Sequence, residues 1–286
     1  ILLCGDTGQL PPVGHGAVLR DFVNSHAVPT GTLTQIHRNS GDGVVACHKI
    51  HAGERFQPSA RFHIPSGGNL LHVECRSSRH VKSAIRRLLE NPPAGIDRKW
   101  DVQFICPLNE SGPLSRIKLN EMLCEMVNPD GRKLDVFPLR IGDKVICNKN
   151  HFAFMDGYEE EDDDPDEFVA NGEQGELLSA DGNKLRIRLF APPRTIVSTG
   201  LNAFNWEQAY AITVHKSQGS AFPFVVYIPD DTPAAAMVSC RELVYTALSR
   251  FERATITLGR VETINRYCSK VSMKNRKTML AELISR

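Results

Sequence analysis

The order of apolar and polar positions predicts a parallel sheet with flanking helices. An apolar run over 101–107 leads through a Gly-Pro turn into a segment of helical spacing. An amphipathic helix is predicted over 77–90, with Ser77 or Ser78 as its N-cap. Strand, loop and helix in this order form the repeating unit of a parallel sheet, so these segments favour an α/β fold.

The first forty residues show the same kind of pattern. A buried strand is predicted over 1–4, a helix over 17–25 and a short strand over 31–39. The chain begins inside the first of these strands and lacks an initiator Met. We therefore expect it to be a fragment of a longer protein.

The middle of the chain has a different pattern, which begins near Leu139. Short alternating strands separated by Gly and Asp-Gly turns predict a small antiparallel barrel. The α/β pattern returns at Phe204 with a strand, a helix and a further strand. The barrel is therefore expected to be an insertion that splits one α/β domain.

The composition is that of an ordinary globular protein. Of the 286 residues, 41% are hydrophobic and 23% are charged. The sequence contains no run of 18 apolar residues and no signal peptide, so we expect a cytoplasmic protein without a membrane span. Its eight cysteines form no C-x-x-C pair, which favours reduced, buried thiols over the alternatives, disulfides or zinc ligands.

The formal net charge of +1 hides an uneven distribution of charge. The run 159–167 contains eight acidic residues, and without them the rest of the chain would carry +9. A moderately basic body of this kind could hold a polyanion. The acidic run itself is either a solvated loop, a DNA-mimicking gate or a contact for a partner.

Three groups of polar residues follow predicted strands, where the crevice of a parallel sheet usually binds its ligand. The first group is Asp6 and Gln9 with the stiff pair Pro11-Pro12; a neutral Gln can touch a phosphate oxygen without repelling it. The second is Arg38, which taken alone is more typical of a solvated surface. The first two groups are weak signals when each is considered separately.

The third group lies near the end of the chain. The segment 213–222 combines hydroxyl, imidazole, ammonium and amide groups at a strand end, and Gly219 would let a helix N-terminus approach an anion. The segment 244–253 is predicted to place Tyr245, Ser249 and Arg250 on a helix. An Arg supplied by a second domain can stabilise the charge that develops on a transferred phosphoryl group.

Taken in order, these segments resemble the later motifs of the RecD-like, 5′→3′ group of superfamily 1 DNA helicases. The resemblance covers nearly the whole chain, and its segments are "GDTGQLPPVGHGAVLRD" (motif III), "LTQIHRN" (motif IV), "ICPLNESGPLSRIKLNEML" (the opening of the second motor domain), "LRIGDKVICNKN" with "VANGEQGEL" (an SH3-like insert), "AYAITVHKSQGSAFPFVV" (motif V) and "LVYTALSRFERATITLG" (motif VI).

The resemblance implies a RecA-like motor domain split by an SH3-like barrel and preceded by the edge of a first RecA-like domain. The implied units are 1–33, the remnant of the first motor domain; 34–138 and 204–286, the two segments of the second; and 139–203, the insert, with the acidic loop 159–167.

The resemblance also implies roles on the nucleotide side. Gln9, beside Asp6, would sense the γ-phosphate of ATP and pass the signal through Pro11 and Pro12 to the DNA path. Arg38 and Arg250 would reach the phosphates from the second motor domain, with Arg250 as the arginine finger. Gly219 would lie at the hinge between the nucleotide and the DNA.

Single-stranded DNA is the partner that the resemblance implies for the remaining candidates. The residues expected to lie along the strand are Asn109, Thr213, His215, Lys216, Ser217 and Gln218.

The sequence departs from the helicase pattern in two ways. No G-x-x-x-x-G-K-[ST] segment occurs, and the Asp-Glu pair that would hold Mg²⁺ is absent. ATP and Mg²⁺ are therefore expected in a parent enzyme that also has a first motor domain, and this chain alone is expected to be inactive. In addition, Ala221 stands where an acidic residue often follows Gly219, which weakens any ribose contact.

The leading interpretation is the C-terminal part of an ATP-dependent DNA helicase. One setting for the parent helicase is a complex with exonuclease subunits. The alternative is a non-catalytic DNA-binding or assembly module derived from a helicase. A third interpretation, a relaxase or transferase that carries this module, would need a catalytic domain outside the sequence.

Overall fold

The structure, a computed structural model, describes residues 2–11, 16–32, 39–157, 165–272 and 278–284. Pro12, Arg38 and positions 159–164 of the acidic run lie outside the described residues, as does most of the strand predicted over 31–39. The helices are α1 Val18–Ser25, α2 Asp42–Ala52, α3 Ser78–Glu90, α4 Arg116–Val127, α5 Pro233–Val238, α6 Arg241–Leu248, α7 Val261–Cys268 and α8 Leu280–Ile284; three 3-10 helices span Ile64–Ser66, Gly200–Asn205 and His215–Ser217.

The strands form two sheets with different connectivity. Five parallel strands have the order β1-β12-β11-β2-β10, and seven antiparallel strands have the order β5-β4-β8-β7-β6-β3-β9. The strands are β1 Leu70–Glu74, β2 Val102–Cys106, β3 Lys144–Cys147, β4 His151–Met155, β5 Glu167–Val169, β6 Gln174–Asp181, β7 Lys184–Phe190, β8 Pro193–Ser198, β9 Trp206–Gln208, β10 Ala211–Thr213, β11 Phe222–Tyr227 and β12 Phe251–Gly259.

The parallel sheet agrees with the pattern of the sequence. β2 is buried along its whole length and pairs in parallel with both β11 and β10. Helix α3 begins as predicted, because the Ser77 side chain accepts a hydrogen bond of 3.2 Å from the backbone N–H of His80. Its residues Val81, Ile85 and Leu89 recur every fourth position and form the buried face.

The antiparallel sheet confirms the change of pattern in the middle of the chain. Its strands enclose a separate apolar core, which includes Val145, Leu177, Ile187 and Trp206. Strand β9 still belongs to this sheet and pairs with β3, so the chain returns to the parallel sheet only at β10, a few residues after the predicted return at Phe204.

A buried carboxylate fastens the antiparallel sheet to the parallel one. Asp143 precedes β3 and is fully buried. It accepts hydrogen bonds from the Tyr210 hydroxyl at 2.8 Å, the Asn128 amide at 2.7 Å and the Gln208 amide at 3.0 Å. A buried charge needs such partners, so this network fixes one sheet against the other.

The predicted strand over 1–4 is wrong for the residues that the structure describes. Leu2 and Leu3 are 86% and 51% exposed, and residues 2–4 pair with neither sheet. An apolar segment without a neighbouring strand has no ladder of hydrogen bonds and no surface to pack on. The helix predicted over 17–25 is confirmed as α1, and α8 packs against it.

All eight cysteines are free thiols, and seven of them are buried. Burial raises the pKa of the Cys47 and Cys106 thiols to about 12, so they remain protonated and unreactive. The prediction of reduced, buried cysteines is therefore confirmed, with Cys4 as the exposed exception. Among the described helices, none has the length and the apolar character needed to cross a membrane.

Candidate functional site

Loop 6–11 is organised by a single carboxylate. Asp6 Oδ1 accepts from the backbone N–H of Gly8 at 2.8 Å, and Oδ2 accepts from the Gln9 amide at 3.2 Å. The Tyr245 hydroxyl, which comes from α6, donates to the same Oδ2 at 2.9 Å. Asp6 thus closes the loop on itself and ties it to the helix that resembles motif VI.

The backbone of Leu10 is held from both sides. Its N–H donates to Thr246 Oγ1 at 2.9 Å, and its carbonyl accepts from the Gln218 amide at 2.9 Å. We call this pair of bonds the Leu10 clamp. It joins loop 6–11 to α6 and to the connection between β10 and β11, residues 214–221, which we call the linker segment. Pro11, next to the clamp, is buried.

Helix α2 forms the floor beneath the loop. A Cβ atom added to Gly8 would lie 2.5 Å from His51 Cδ2, so a larger residue would displace the His51 ring. The ring of His51 packs against that of Tyr245 with 5.5 Å between their centroids. Neither His51 nor Thr246 was singled out in the sequence, since a floor residue and a buried hydroxyl carry no motif signal.

Arg250 lies beside this cluster and is 2% exposed. Its Nε donates to the Thr246 carbonyl at 3.1 Å, and its guanidinium also donates to Ser249 Oγ and to the Ser220 carbonyl. Thr246 therefore contacts both Leu10 and Arg250, which places Gln9 and Arg250 on the same side of the molecule.

The helix predicted to carry Ser249 and Arg250 ends earlier than expected. α6 ends at Leu248, and Ser249 is its C-cap. The chain must turn here because β12 begins at Phe251. Arg250 therefore extends from a turn, and its side chain folds back onto the helix to donate to the Thr246 carbonyl.

The residues around Gln9 do not fit Mg·ATP on their own. Both oxygens of Asp6 already accept hydrogen bonds from the protein. Within the described residues, no group of three His, Cys, Asp or Glu side chains could hold a metal ion. The sequence has no phosphate-binding Gly-Lys loop, so other elements would have to hold the nucleotide. Gln9 and Arg250 could then contact its phosphates.

A cleft of about 950 Å³ opens on the other side of the linker segment, between it and the antiparallel sheet. The aromatic rings of Trp100 and Phe190 meet edge to face in its wall, with their centroids 5.5 Å apart. Four of the predicted site residues line the cleft, namely His215, Lys216, Gln218 and Gly219.

Lys216 is a cation of the linker segment that lines the cleft, and two neighbouring polar side chains contact its ammonium. Its ammonium donates to the Asn148 side chain and lies 3.6 Å from Glu207 Oε2. Burial and nearby Arg116 lower the pKa of Lys216, whereas Glu207 raises it, and the net direction is downward. Sequence reasoning did not select Asn148 and Glu207: Asn148 lies in the segment that resembles the SH3-like insert but was given no role there, and Glu207 lies outside the quoted motifs.

The remaining linker residues differ in how they can contact a ligand. His215 is exposed, and desolvation by neighbouring protein atoms lowers its pKa. Ser217 is fully buried and donates its hydroxyl to the Val214 carbonyl at 2.7 Å, so the hydroxyl faces the protein. Thr213 Oγ1 accepts from the Lys216 backbone N–H at 3.3 Å and so shapes the turn.

Gly219 does not precede a helix, contrary to the expectation that it opens a helix N-terminus. It follows the 3-10 helix and leads into β11, because the apolar run from Phe222 enters the sheet at once. Its φ of +82° favours glycine, and a Cβ there would meet open space. Ala221 also lines the cleft.

Asn109 lies outside the cleft but is connected to it. Its Oδ1 accepts from Arg116 Nε at 2.6 Å, and Arg116 in turn pairs with Glu207 Oε2 at 2.7 Å. Asn109 and Lys216, predicted separately from two distant segments, are therefore joined through two residues that sequence reasoning did not select.

Comparisons with known proteins identify helicases that are similar to this chain. Residues 208–254 match the UvrD-like helicase C-terminal domain. The ATP-dependent RecD2 DNA helicase of Deinococcus radiodurans is 31% identical over 258 residues, which are 87% of this chain and 31% of that protein. The chain thus spans about a third of the length of this relative.

Solved structures of Pif1 helicases are also similar, at low identity. The Bacteroides Pif1 helicase in complex with ADP-AlF3 and ssDNA gives a TM-score of 0.48 at 17% identity, covering 88% of this chain and 60% of that one. The Candida albicans Pif1 helicase gives 0.46 at 15% identity, covering 83% and 58%. The family match and the Deinococcus relative show that this chain is similar to RecD-like helicases.

Proposed function

We propose that this chain is the C-terminal part of an ATP-dependent DNA helicase that moves 5′→3′. It supplies much of the track for single-stranded DNA and the trans half of the ATPase site. One observation carries the proposal: Gln218 lines the cleft and also holds the Leu10 carbonyl. A single side chain therefore connects the surface suited to DNA with the loop that carries Gln9.

The proposed structural units correspond to the two sheets. Residues 34–138 and 209–286 form the second RecA-like motor domain and 139–208 form an SH3-like insert, which ends later than the sequence predicted because β9 pairs with β3; residues 1–33 belong to a first motor domain. The Asp143 network supports this division, because it makes the insert a rigid wall of the cleft rather than a loosely tethered module. The proposed setting is cytoplasmic.

On the nucleotide side, Gln9 and Arg250 are the residues of the described chain that would reach ATP phosphates. Pro12 and Arg38 share this proposed role but lie outside the described residues. Productive binding of Mg·ATP needs the phosphate loop and metal carboxylates of a first motor domain. The chain alone should therefore show no ATP hydrolysis above background, with or without DNA, in a phosphate-release assay.

The DNA side can be tested directly on this chain. Fluorescence anisotropy with a labelled oligo-dT strand should show weak binding at 50 mM salt, and the affinity should fall by roughly tenfold at 200 mM, since each phosphate contact releases counterions. No binding at low salt, or an affinity that salt does not change, would refute the assignment of Thr213, His215, Lys216 and Gln218 to the DNA track.

The second candidate function is a DNA-binding or assembly module without catalysis, which would include a role inside an exonuclease complex. The burial of Arg250 favours it, because an arginine finger must reach out of its own domain. The two candidates predict the same DNA binding. They differ once the chain is joined to a first motor domain with a complete phosphate loop, when only the helicase gains DNA-dependent ATP hydrolysis.

A further inference from the structure

A chain of five polar side chains crosses the boundary between the two sheets. Asn109 accepts from Arg116, Arg116 pairs with Glu207 at 2.7 Å, and Glu207 lies 3.6 Å from the Lys216 ammonium. Asn148 also accepts from that ammonium. Glu207 and Asn148 come from the antiparallel sheet and the turn that follows β3, whereas Arg116 and Lys216 come from the parallel-sheet domain.

The carboxylate of Glu207 therefore lies between two cations, Arg116 and Lys216. The Glu207 side chain is 39% exposed, although Oε2, the oxygen that faces Arg116 and Lys216, is itself buried. Burial alone would raise its pKa, but the hydrogen bond with Asn148 and the charges of Arg116 and Lys216 lower it. The carboxylate is consequently ionised at neutral pH. A phosphate that approaches Lys216 must compete with this fixed negative charge.

The two contacts of Glu207 differ in strength. The Arg116 side chain is 7% exposed and lies 2.7 Å from the carboxylate, which makes this a close, half-buried ion pair. The Lys216 side chain is 28% exposed and lies 3.6 Å away, beyond direct hydrogen-bond distance. The Lys216 contact is therefore the one that another anion can replace, while Arg116 retains the carboxylate.

We propose that Glu207 is a built-in competitor for DNA at Lys216, whose carboxylate is displaced from the ammonium by a backbone phosphate of single-stranded DNA. Asn148 keeps the ammonium in place during the exchange, because it holds Lys216 through an uncharged oxygen. The antiparallel sheet thereby sets the affinity of the cleft. This inference rests on the proposed DNA-binding function and adds to it a residue that weakens binding.

The central test is Glu207→Gln in this chain, measured by anisotropy with labelled oligo-dT at 50 mM salt. Glutamine keeps the size of the side chain and removes its charge. We expect the affinity to rise roughly threefold to fivefold, the effect of releasing one partly exposed ion pair. The gain should shrink as salt is raised, because one more phosphate contact steepens the slope of log affinity against log salt by about 0.7.

Glu252→Gln is the matched control. Glu252 lines the same cleft and is exposed, and its substitution removes the same charge. The variant therefore measures how much DNA affinity rises when any negative charge is removed from the cleft. We expect a smaller gain there than in Glu207→Gln. The second control is Lys216→Met combined with Glu207→Gln, in which the gain should disappear because the competed cation is gone.

A further variant guards against a folding defect. Glu207→Asp keeps the charge for Arg116 but shortens the side chain, which withdraws it from Lys216; it should also bind more tightly than the unaltered chain. The thermal melting of each variant is measured beside its DNA affinity.

The outcomes distinguish the competitor role of Glu207 from the proposed DNA-binding function. Equal gains in Glu207→Gln and Glu252→Gln, a gain that survives in the Lys216→Met background, or no gain in either Glu207 variant would each overturn the competitor role while leaving DNA binding intact. If the unaltered chain does not bind oligo-dT at low salt, the proposed function fails and the competitor role fails with it.

Discussion

Loop 6–11 and the cleft lie on two sides of the linker segment, and they use their polar groups in opposite ways. On the loop side, the carboxylate of Asp6, both backbone groups of Leu10 and the guanidinium of Arg250 all bond to protein atoms. On the cleft side, His215 is exposed and Gly219 faces open space. The loop is thus a fastened structure, and the cleft is a surface open to a large ligand.

The difference indicates which property each region controls. A substitution on the loop side breaks bonds inside the protein, so it should change stability or turnover before it changes DNA affinity. A substitution in the cleft removes a group that faces solvent, so it should change DNA affinity with little effect on stability. Each prediction below tests whether the loop controls stability or turnover and the cleft controls DNA affinity.

The largest effect is expected for Arg250→Ala in an enzyme with a complete ATPase site. Loss of an arginine finger should lower ATP turnover roughly 10³-fold or more, while DNA affinity stays nearly unchanged. Steady-state kinetics and anisotropy measure the two quantities. Arg253→Ala, an exposed Arg three positions further along, is the matched control and should keep normal turnover. Near-normal turnover in Arg250→Ala would remove Arg250 from the nucleotide site.

Thr246→Val should come next, with a loss of about 1–3 kcal/mol in the free energy of unfolding. Valine fills the same volume but leaves the Leu10 N–H without its acceptor, and an unpaired donor at a buried contact costs this much. Urea denaturation measures the loss. Thr30→Val is the control and should change stability very little, because Thr30 is exposed and its hydroxyl donates only to the exposed Val28 carbonyl, which water can reach.

If Thr246→Val weakened DNA binding as strongly as it weakened folding, the division between loop and cleft would be wrong. The Leu10 clamp would then transmit its effect through Gln218 to the cleft even in this chain alone.

Lys216→Met is the corresponding test in the cleft. Removing one phosphate-binding cation should reduce the affinity for oligo-dT by about fivefold to tenfold. Stability should change little, since the ammonium is held at the solvent boundary by Asn148 and Glu207. Lys99→Met is a suitable control, because Lys99 stacks over Trp100 beside the cleft and does not line it. Equal losses in both variants would indicate nonspecific attraction.

The same contrast explains what sequence could predict. Helix α3 and strand β2 were predicted correctly, because burial of one face gives α3 its helical period and burial of the whole strand gives β2 its continuous apolar run. The segments 5–12 and 213–219 were selected because polar groups follow apolar strands and resemble known motifs. The two segments do meet, where the Gln218 side chain donates to the backbone carbonyl of Leu10.

The rest depended on contacts between distant segments. Glu207 lies in an alternating strand and looks like any solvent-facing position, and only the packing of two sheets brings it between Arg116 and Lys216. Residues 2–4 show the opposite case, in which apolar letters predicted a strand that has no partner among the described strands. The order of apolar and polar residues indicates only the local preference of a segment. Strand pairing and the pairing of opposite charges depend on contacts in the assembled fold.

The smallest effect is expected for Tyr245→Phe, and it tests whether Asp6 or the Leu10 clamp seats the loop. The substitution removes only the hydroxyl that donates to Asp6 Oδ2, at an exposed position, and keeps the ring that packs on His51. Urea denaturation should show a loss of about 0.5–1.5 kcal/mol, below that of Thr246→Val, because water can replace the lost donor. If Tyr245→Phe proved the more destabilising of the two, the Asp6 contact would be the main fastening of the loop and the Leu10 clamp only its consequence.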